Sequence, residues 1–407
     1  MMRPRVFPVL RKFLALRDAQ WLEPEKLAQI QQEKLGSILE CASKTKHYGE
    51  IDDFESLPFT EKSDLQGNER SFTGGAETLL QTQTSGSTGK PVKLFIDQDA
   101  MDYRVAMKYM VETEFGLRPT DVFAEISHRS YVPHPLLRYS QMFRRIHLSV
   151  FDDESRNFSL IRESGANVLG WYPSAVSLLA RINDSLENPL RLKSVYCGSE
   201  MLSDECRDYI SRSFSCSVFN QYGAEEFGTI AWECPQEHNM HINTDSVYLE
   251  IVGSNGKPKK SGSGEVVLTT LHNKAMPLLR YKIGDLGSLG KECPCGRGLP
   301  LLETLEGRSN DFIVLPSGKK RTPVSFDIMY GIPGIMAYQV VQEEPDLFVF
   351  RYVPDEKDIS EKSKSEILAR LERASLGEKV RTEFEAVDLI PKTPNGKMST
   401  VLSKVRT

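Results

Sequence analysis

The sequence predicts an α/β protein with a large multi-sheet N-terminal domain and a small, mobile α+β C-terminal domain. Three observations support this. The chain has 407 residues, which is too long for one ordinary hydrophobic core. Between about residues 120 and 220, short apolar runs alternate with helical patterns, which is typical of a parallel sheet covered by helices. From residue 245 onwards hairpin signals replace this alternation, as in the two β runs that flank Asn255–Gly256.

The period of the apolar residues predicts the individual elements, because a helix repeats every ~3.6 residues and a strand every ~2. Helical patterns cover residues 24–45, 98–115, 173–183, 203–213 and 360–374. Strand patterns cover residues 77–82, 92–96, 122–126, 166–170, 192–196, 217–220, 247–252, 264–270 and 382–390. The pattern of predicted helices and strands changes again near residue 310. We therefore expect an N-terminal domain of residues 1–310 and a C-terminal domain of residues 311–407.

The composition is that of a globular protein, with 40% hydrophobic and 26% charged residues. No apolar run approaches the ~18–20 residues that span a membrane, and the basic and apolar start of the chain fits an ordinary amphipathic helix. The net charge of −5 argues against binding of nucleic acid through phosphate contacts. Seven unevenly spread cysteines fit a reducing cytoplasm better than a disulfide scaffold. We expect a cytoplasmic protein without stable membrane insertion, of unknown oligomeric state.

The segment Thr84–Pro91 has the composition of a phosphate-binding loop. It carries hydroxyl residues and two glycines directly before Lys90. Glycine lets backbone N–H groups approach an anion closely, and the lysine adds a positive charge. It is not a Walker loop, because Thr84 replaces the first glycine of that motif and Pro91 its final Ser or Thr. An ordinary Ser/Gly-rich turn has the same composition, so the assignment depends on the motifs that follow.

Two segments in the middle of the chain carry residues suited to a nucleotide. In Asn220–Phe227 a tyrosine ring could pack on a purine, and a glutamate three or four residues later could reach a phosphate-bound Mg²⁺. In Arg280–Asp285 the aspartate follows a glycine, where it could accept hydrogen bonds from ribose hydroxyls. Taken singly, an exposed turn and an Asx turn explain these segments as well.

Two segments near the C-terminus suggest a moving part. Arg308 could bind phosphate or ribose, and Asp311 could act as a hinge between two poses of the C-terminal domain. The segment Pro391–Met398 is a tight Pro/Gly loop that presents Lys397. Such a lysine matters only if it is brought to a developing negative charge. The alternatives are a static polar linker and a solvated lysine.

In this order and at these separations, five motifs resemble those of the adenylate-forming (acyl-activating) superfamily. Within it the chain resembles the phenylacetate–coenzyme A ligase branch and its deazaflavin-adenylating and capsule-biosynthesis-like relatives. The five motifs are TSGSTGKP, YGAEEFG, RYKIGD, EGRSND and PKTPNGK. Supporting segments are Leu57–Lys62, Gly170–Ser174, Cys197–Glu200 and Cys293–Arg297. The resemblance covers nearly the whole chain from about residue 55.

The resemblance implies a role for each matching residue. The β- and γ-phosphates of ATP would be held by Thr84, Ser85, Gly86, Ser87, Thr88, Gly89 and Lys90. The rest of the nucleotide would be bordered by Gly198, Ser199, Glu200, Gln221, Tyr222, Gly223, Asp285 and Arg308. Among these, Tyr222 would pack on the base, and Asp285 and Arg308 would hold the ribose. Glu226 would bind Mg²⁺, and Lys397 would stabilise the transferring phosphoryl group, so these two are the expected catalytic residues.

The chain departs from the family at one position of this site. Family members commonly have Thr or Ser directly before the magnesium glutamate, where this chain has Glu225. A second carboxylate beside a polyphosphate is unfavourable unless it faces a cation or turns outward. The role of Glu225 is therefore open.

The cysteines and histidines suggest a zinc site. Cys293 and Cys295 are separated by one residue, and Cys234 precedes two histidines. Structural zinc takes four Cys or His ligands in a tetrahedron. Since some phenylacetate-ligase relatives carry a similar set, we favour Cys234, His241, Cys293 and Cys295, with His238 as the alternative fourth ligand. The other interpretation is unrelated reduced cysteines and solvent-facing histidines.

The resemblance implies an enzyme that uses ATP, Mg²⁺ and a small-molecule acid, with release of pyrophosphate. Three functions stay open at this point. The first is an acyl– or aryl–coenzyme A ligase, and the second is a nucleotidyltransferase that places AMP on a hydroxyl-bearing acceptor. The third is an amide-forming or partner-binding relative. The sequence does not identify the substrate, although a pocket could be lined by His128, Tyr131, His134, Trp171 and Tyr172.

Overall fold

The protein is described here from a computed structural model. The structure describes residues 4–74, 80–83, 91–128, 142–308, 312–355 and 358–405, without the side chains of residues 306 and 308. The described helices are α1 (Val6–Ala19), α2 (Pro24–Ala42), α3 (Lys62–Leu65), α4 (Gln98–Glu114), α5 (Glu154–Ser164), α6 (Pro173–Asp184), α7 (Asp204–Phe214) and α8 (Glu361–Ala374). The mixed α/β class predicted from the sequence is confirmed.

In chain order the described strands are β1 (Leu80–Gln83), β2 (Lys93–Ile96), β3 (Val122–Ser127), β4 (Arg144–Ser149), β5 (Val168–Trp171), β6 (Ser194–Gly198), β7 (Ser217–Ala224), β8 (Gly228–Glu233), β9 (Met240–Ile242), β10 (Val247–Val252), β11 (Gly264–Thr270), β12 (Tyr281–Leu289), β13 (Leu301–Arg308), β14 (Ile313–Val314), β15 (Lys320–Arg321), β16 (Ile335–Glu344), β17 (Leu347–Pro354), β18 (Arg381–Ala386) and β19 (Val401–Ser403). Strands β1, β2, β3, β5, β6, β7, β10, β11 and β18 lie close to predicted positions, and the other described strands were not predicted one by one. Among the described helices none is both long and apolar enough to cross a membrane.

The chain divides into two compact units, each built from two stretches of sequence. The first unit combines Met1–Leu117 with Gln221–Leu305, and the second combines Arg118–Asn220 with Glu306–Thr407. Strand β7 passes from the second unit into the first. The predicted domains of residues 1–310 and 311–407 stay a prediction.

The first unit contains a mainly antiparallel sheet. Its strands follow the order β10-β11-β12-β13-β9-β8, and the C-terminal half of β7 pairs with β8. A large apolar core lies against this sheet and includes Phe72, Phe227 and Leu268. Strands β1 and β2 form a separate antiparallel pair in which Gln83 lies opposite Lys93. The predicted phosphate loop, Thr84–Lys90, connects these two strands but lies outside the described residues.

The second unit contains the predicted parallel sheet. Strands β6, β5, β3 and β4 are neighbours in parallel register, and α5, α6 and α7 contribute to the apolar core beside them. Gly170 is required in β5, because a Cβ there would lie 2.3 Å from the carbonyl oxygen of Tyr196 on β6. A second sheet in this unit has the order β18-β17-β16-β19 and packs its own core against α8. This smaller α+β part agrees with the predicted C-terminal domain.

Candidate active site

The segment that holds Tyr222 and the two glutamates forms a tight hairpin between β7 and β8. The chain turns within three residues, and the N–H of Phe227 donates to the carbonyl of Ala224 at 3.1 Å. Gly223 allows β7 and β8 to approach each other closely, since a Cβ there would lie 2.7 Å from the carbonyl oxygen of Gly228. The hairpin therefore carries both carboxylates at its tip, with Glu225 exposed and Glu226 half-buried.

Arg104 of α4 forms hydrogen bonds with the main chain of this tip. Its two terminal nitrogens donate to the backbone carbonyls of Glu225 at 2.9 Å and of Glu226 at 2.7 Å. Burial lowers the pKa of Arg104 to about 10, against the opposing effect of the nearby carboxylates, so the guanidinium stays charged at neutral pH. The position of the two glutamates is thus fixed through their main chain.

His272 supports Arg104 in turn. Its Nε2 lies 3.3 Å from Arg104 Nε, and its Nδ1 lies 3.2 Å from the carbonyl oxygen of Ser246. Burial and the charge of Arg104 lower the pKa of this histidine to about 3, so the ring is neutral. A neutral ring that donates from Nδ1 to the carbonyl has Nε2 available to accept from Arg104. Sequence reasoning missed both residues.

The two neighbouring glutamates have different partners. The hydroxyl of Thr82, at the end of β1, lies 3.4 Å from Glu225 Oε2. The hydroxyl of Tyr281 lies 3.4 Å from Glu226 Oε1. Burial raises the pKa of Glu226, and the Glu225 carboxylate adds to this, while Lys62 and Arg104 oppose it. Glu225 therefore faces the strand that leads into the predicted phosphate loop, and Glu226 faces β12.

Tyr222 and Asp285, both predicted at the nucleotide, are in direct contact. The tyrosine hydroxyl donates to Asp285 Oδ2 at 2.6 Å. Asp285 follows Gly284, which has a positive φ of 88° where the register of β12 shifts against β11. Burial raises the pKa of Tyr222 well above its usual value, and the Asp285 carboxylate adds to this, so the phenol keeps its proton. Gln221 and Gly223 flank the tyrosine on β7.

The second unit brings Glu200 to the loop of Lys397. Strand β6 ends at Gly198, and Ser199 takes a left-handed conformation with φ of 68°. Glu200 follows, and its carboxylate accepts the backbone N–H of Met398 at 3.0 Å. Two segments that the sequence assigned separately, Gly198–Glu200 and Pro391–Met398, therefore meet in one unit.

The Lys397 loop is closed by its own hydrogen bonds. The N–H of Thr393 donates to the carbonyl of Lys397 at 2.8 Å, and the N–H of Lys397 donates to the hydroxyl of Thr393 at 3.1 Å. Gly396 has a positive φ of 78°, which glycine adopts without strain. The lysine is therefore presented from a defined turn.

Several predicted residues lie outside the described part of the chain. These are Thr84–Lys90, Tyr131, His134, Asp311 and the side chain of Arg308. Of the predicted pocket residues, His128 and Tyr172 contact each other, with Nδ1 and the phenol oxygen 2.9 Å apart. They follow the carboxyl ends of the parallel strands β3 and β5, the edge at which open α/β sheets bind ligands.

The favoured cysteines and histidine form one cluster in the first unit. One ligand atom from each of Cys234, His241, Cys293 and Cys295 lies within 4.8 Å of the others. The sulfurs of Cys234 and Cys293 are 3.8 Å apart, and Cys295 Sγ lies 3.4 Å from His241 Nε2. Tetrahedral zinc with Zn–S bonds of ~2.3 Å and Zn–N bonds of ~2.0 Å requires separations of about 3.8 and 3.5 Å. The donor set therefore fits zinc in both chemistry and spacing.

His238, the alternative fourth ligand, lies apart from this cluster. Its side chain is 59% exposed, and its Nδ1 lies 3.2 Å from Glu233. In contrast, His241 is fully buried, and burial lowers its pKa to about 4. A neutral imidazole is the form that binds a metal.

Comparisons with known proteins agree with this architecture. Residues 316–404 match the model of the CapK C-terminal domain. The chain is 24% identical to protein CapK of Staphylococcus aureus, over 88% of this chain and 81% of that one. It is 25% identical to the phenylacetate–coenzyme A ligase of Thermus thermophilus, over 80% of both chains. The structure of 2-hydroxyisobutyryl-CoA ligase in the postadenylation state superposes with a TM-score of 0.73 at 19% identity, covering 93% of this chain and 88% of that chain.

The chain has the fold of the adenylate-forming ligases. The resemblance predicted from five sequence motifs is confirmed, since the relatives found are CapK and phenylacetate–coenzyme A ligases. In this adenylate-forming ligase fold the hairpin with Glu226 and the Tyr222–Asp285 contact occupy the first unit, and the Lys397 loop occupies the second.

Proposed function

We propose that this protein adenylates a carboxylate substrate with ATP, releases pyrophosphate, and then transfers the acyl group to coenzyme A. The observation that carries the proposal is the hydrogen bond between Tyr222, on the hairpin of Glu226, and Asp285 on β12. The family motifs give all three residues a role at the nucleotide or its Mg²⁺. The relative from Thermus thermophilus supports the thioester step, because it is a coenzyme A ligase matched over 80% of its length.

In the proposed first step, a carboxylate oxygen of the substrate attacks the α-phosphorus of ATP. The bond from that phosphorus to the bridging oxygen breaks, and pyrophosphate leaves with the electron pair. Such transfers depend mainly on positioning and on stabilisation of charge. The loop Thr84–Lys90 would hold the β- and γ-phosphates, Asp285 and Arg308 the ribose, and Lys397 would stabilise the charge on the transferring group. Mg²⁺, which Glu226 would bind, supplies neutralisation of the phosphate oxygens.

In the proposed second step, the sulfur of coenzyme A attacks the acyl carbon, the bond from that carbon to the phosphate oxygen breaks, AMP leaves with the electron pair, and the thiol proton is released. We propose that residues 311–407 form a lid that brings Lys397 to the first step and withdraws it before the second. The lid would turn near Asp311, relative to an N-terminal domain of residues 1–310. The seven reduced cysteines suit a cytoplasmic enzyme of this kind.

We propose that Cys234, His241, Cys293 and Cys295 hold a structural zinc ion. The cluster is buried and joins the end of β8, strand β9 and the turn between β12 and β13. Four protein ligands leave no position for a substrate, as in structural rather than catalytic zinc sites. The metal would therefore stabilise this edge of the first unit.

Pyrophosphate exchange tests the proposed function. The purified full chain is incubated with ATP, labelled pyrophosphate and a panel of aryl, acyl and amino acids, with and without coenzyme A. We expect exchange with at least one acid, and AMP release only when coenzyme A is added. A stable AMP adduct without dependence on coenzyme A would instead favour a nucleotidyltransferase. Absence of exchange with every acid would favour a binding or amide-forming role.

Arg104→Met is expected to weaken binding of MgATP about tenfold, because two carbonyls of the hairpin lose a charged donor. Calorimetric titration of the full chain with ATP measures this at low and at saturating Mg²⁺. Arg11→Met, which removes an exposed arginine on α1, serves as the control. Unchanged MgATP affinity in the Arg104 variant would refute this supporting role.

A further inference from the structure

The Lys397 loop is attached to the rest of its unit at three points. Two of them use the segment from Val150, just after β4, to Glu154 at the start of α5, and one uses Glu200, just after β6. Each attachment uses a different residue of the loop: Lys392, Gly396 and Met398. The polar groups of the loop that make the first and third attachments are the Lys392 ammonium and the Met398 N–H.

The first attachment is an ion pair with α5. Lys392 Nζ lies 3.0 Å from Glu154 Oε1 and donates to the carbonyl of Val150 at 2.8 Å. The lysine side chain is 24% exposed and the glutamate 36%, so the pair is partly shielded from water. A geometry with two acceptors fixes the lysine more firmly than a single surface contact does.

The second attachment is a close packing contact. The Cα of Gly396 lies so near Val150 that an added Cβ would be 2.0 Å from the valine Cγ1. Only glycine fits at this position, both because of this contact and because φ is positive. The turn of the loop therefore packs directly against Val150. The carbonyl of the same residue accepts a hydrogen bond from Lys392.

The third attachment is the carboxylate of Glu200. Its Oε1 accepts the N–H of Met398, and its Oε2 accepts the N–H of Ser174, each at 3.0 Å. Ser174 is in the first turn of α6, so the carboxylate also satisfies a free N–H at a helix start. Burial raises the pKa of Glu200, while these two N–H groups and Lys397 oppose that rise. One carboxylate thus joins α6, the end of β6 and the loop.

We propose that Glu200 and the Lys392–Glu154 pair form a latch that holds the Lys397 loop in the pose for adenylation and that must open before the thioester step. Lys392 and Glu154 are positioning residues, since neither is assigned to the nucleotide or to the reacting atoms. Glu200 has a predicted place beside the nucleotide as well as its contact with the loop. This inference rests on the proposed function for its two half-reactions. Its structural part, the attachment of the loop, does not depend on any substrate.

The latch makes the two half-reactions respond differently to mutation. Glu200→Gln keeps an acceptor oxygen for only one of the two N–H groups and turns an NH2 donor toward the other, and we expect adenylation to fall about tenfold. Lys392→Met removes a partly shielded ion pair, and we expect a fall of about twofold to fivefold. The attack of coenzyme A on preformed acyl-adenylate should be unchanged or faster in Lys392→Met, because neither Lys392 nor Glu154 is assigned to the nucleotide. A general folding defect would slow both steps.

Hydrogen–deuterium exchange of the full chain without ligand tests the attachment itself. In the unmodified protein we expect slow exchange across residues 391–398. Exchange there should be faster in Lys392→Met and in Glu200→Gln, and Lys392→Arg should retain the protection. Lys364→Met is the matched control, because Lys364 and Glu361 form an ion pair of 2.9 Å on α8. Unchanged exchange in both latch variants would overturn the proposal.

The half-reactions are measured with the acid found by pyrophosphate exchange. An equal loss in both steps in Lys392→Met would also overturn the latch, even if the loop loosens. If no acid supports exchange, the proposed function fails, and the deuterium measurement still decides whether the loop is attached as described. The two failures are thus distinguishable.

Discussion

Lys397→Ala is expected to abolish adenylation while ATP binding stays largely intact. In the proposed reaction the lysine acts on charge that develops at the transferring phosphoryl group, and such a contact lowers the barrier more than it strengthens ground-state binding. We expect pyrophosphate exchange to fall by about 10²–10³-fold or more. Calorimetry of the same variant with MgATP should show an affinity close to that of the unmodified protein.

Lys364→Ala provides the control for this experiment. It removes a lysine of the same C-terminal part that pairs only at the surface of α8. The loop that carries Lys397 is closed by main-chain bonds and by Thr393, so truncating the lysine side chain should leave the turn intact. Pyrophosphate exchange that persists in Lys397→Ala would refute the catalytic role.

Cys293→Ser is expected to release zinc and to lower the free energy of unfolding by about 3–5 kcal/mol. Cys293 is buried within the four-residue cluster, and its loss leaves three ligands and an oxygen donor of weaker affinity for zinc. Metal analysis and thermal unfolding measure the two effects. A chelator should lower the melting temperature of the unmodified protein and have little effect on the variant.

Cys41→Ser is the matched control, since Cys41 is a reduced, half-buried cysteine on α2 outside the cluster. It should keep one zinc per chain. Protein purified without chelator that contains no stoichiometric zinc would refute the site. A variant that loses zinc and keeps its stability would refute the structural role alone.

The sequence predicted the elements well where one local pattern decides them. The alternation of strand and helix patterns between residues 120 and 220 correctly predicted the parallel strands β3, β5 and β6. The Asn255–Gly256 turn correctly predicted the antiparallel pair of β10 and β11. Strand β7 was predicted to end near residue 220, but it continues to Ala224 and pairs with β8. A tyrosine next to a glycine is typical of a turn. Pairing with β8 is what extends the strand through these two residues.

The supporting residues of the site could not be predicted in the same way. Arg104 donates to carbonyl oxygens more than 120 residues away, and a carbonyl has no sequence signature. The acceptor role of Glu200 likewise depends on the N–H of Met398, 198 residues further along. The choice between His238 and His241 depends on backbone geometry, since His238 takes a positive φ of 57° and contacts Glu233. These contacts form only when the folded chain brings distant segments together, so no local sequence pattern reveals them.

The support beneath the hairpin tip has a consequence for how such a site can change over time. Arg104 donates to the main-chain carbonyls at positions 225 and 226, and the two carboxylates also favour its buried positive charge. The Glu225 carboxylate faces Thr82 on β1, while the main chain of the tip is held by the two hydrogen bonds from Arg104. Substitution at position 225 is therefore expected to keep the hairpin in place, while position 226 stays reserved for the predicted Mg²⁺ ligand.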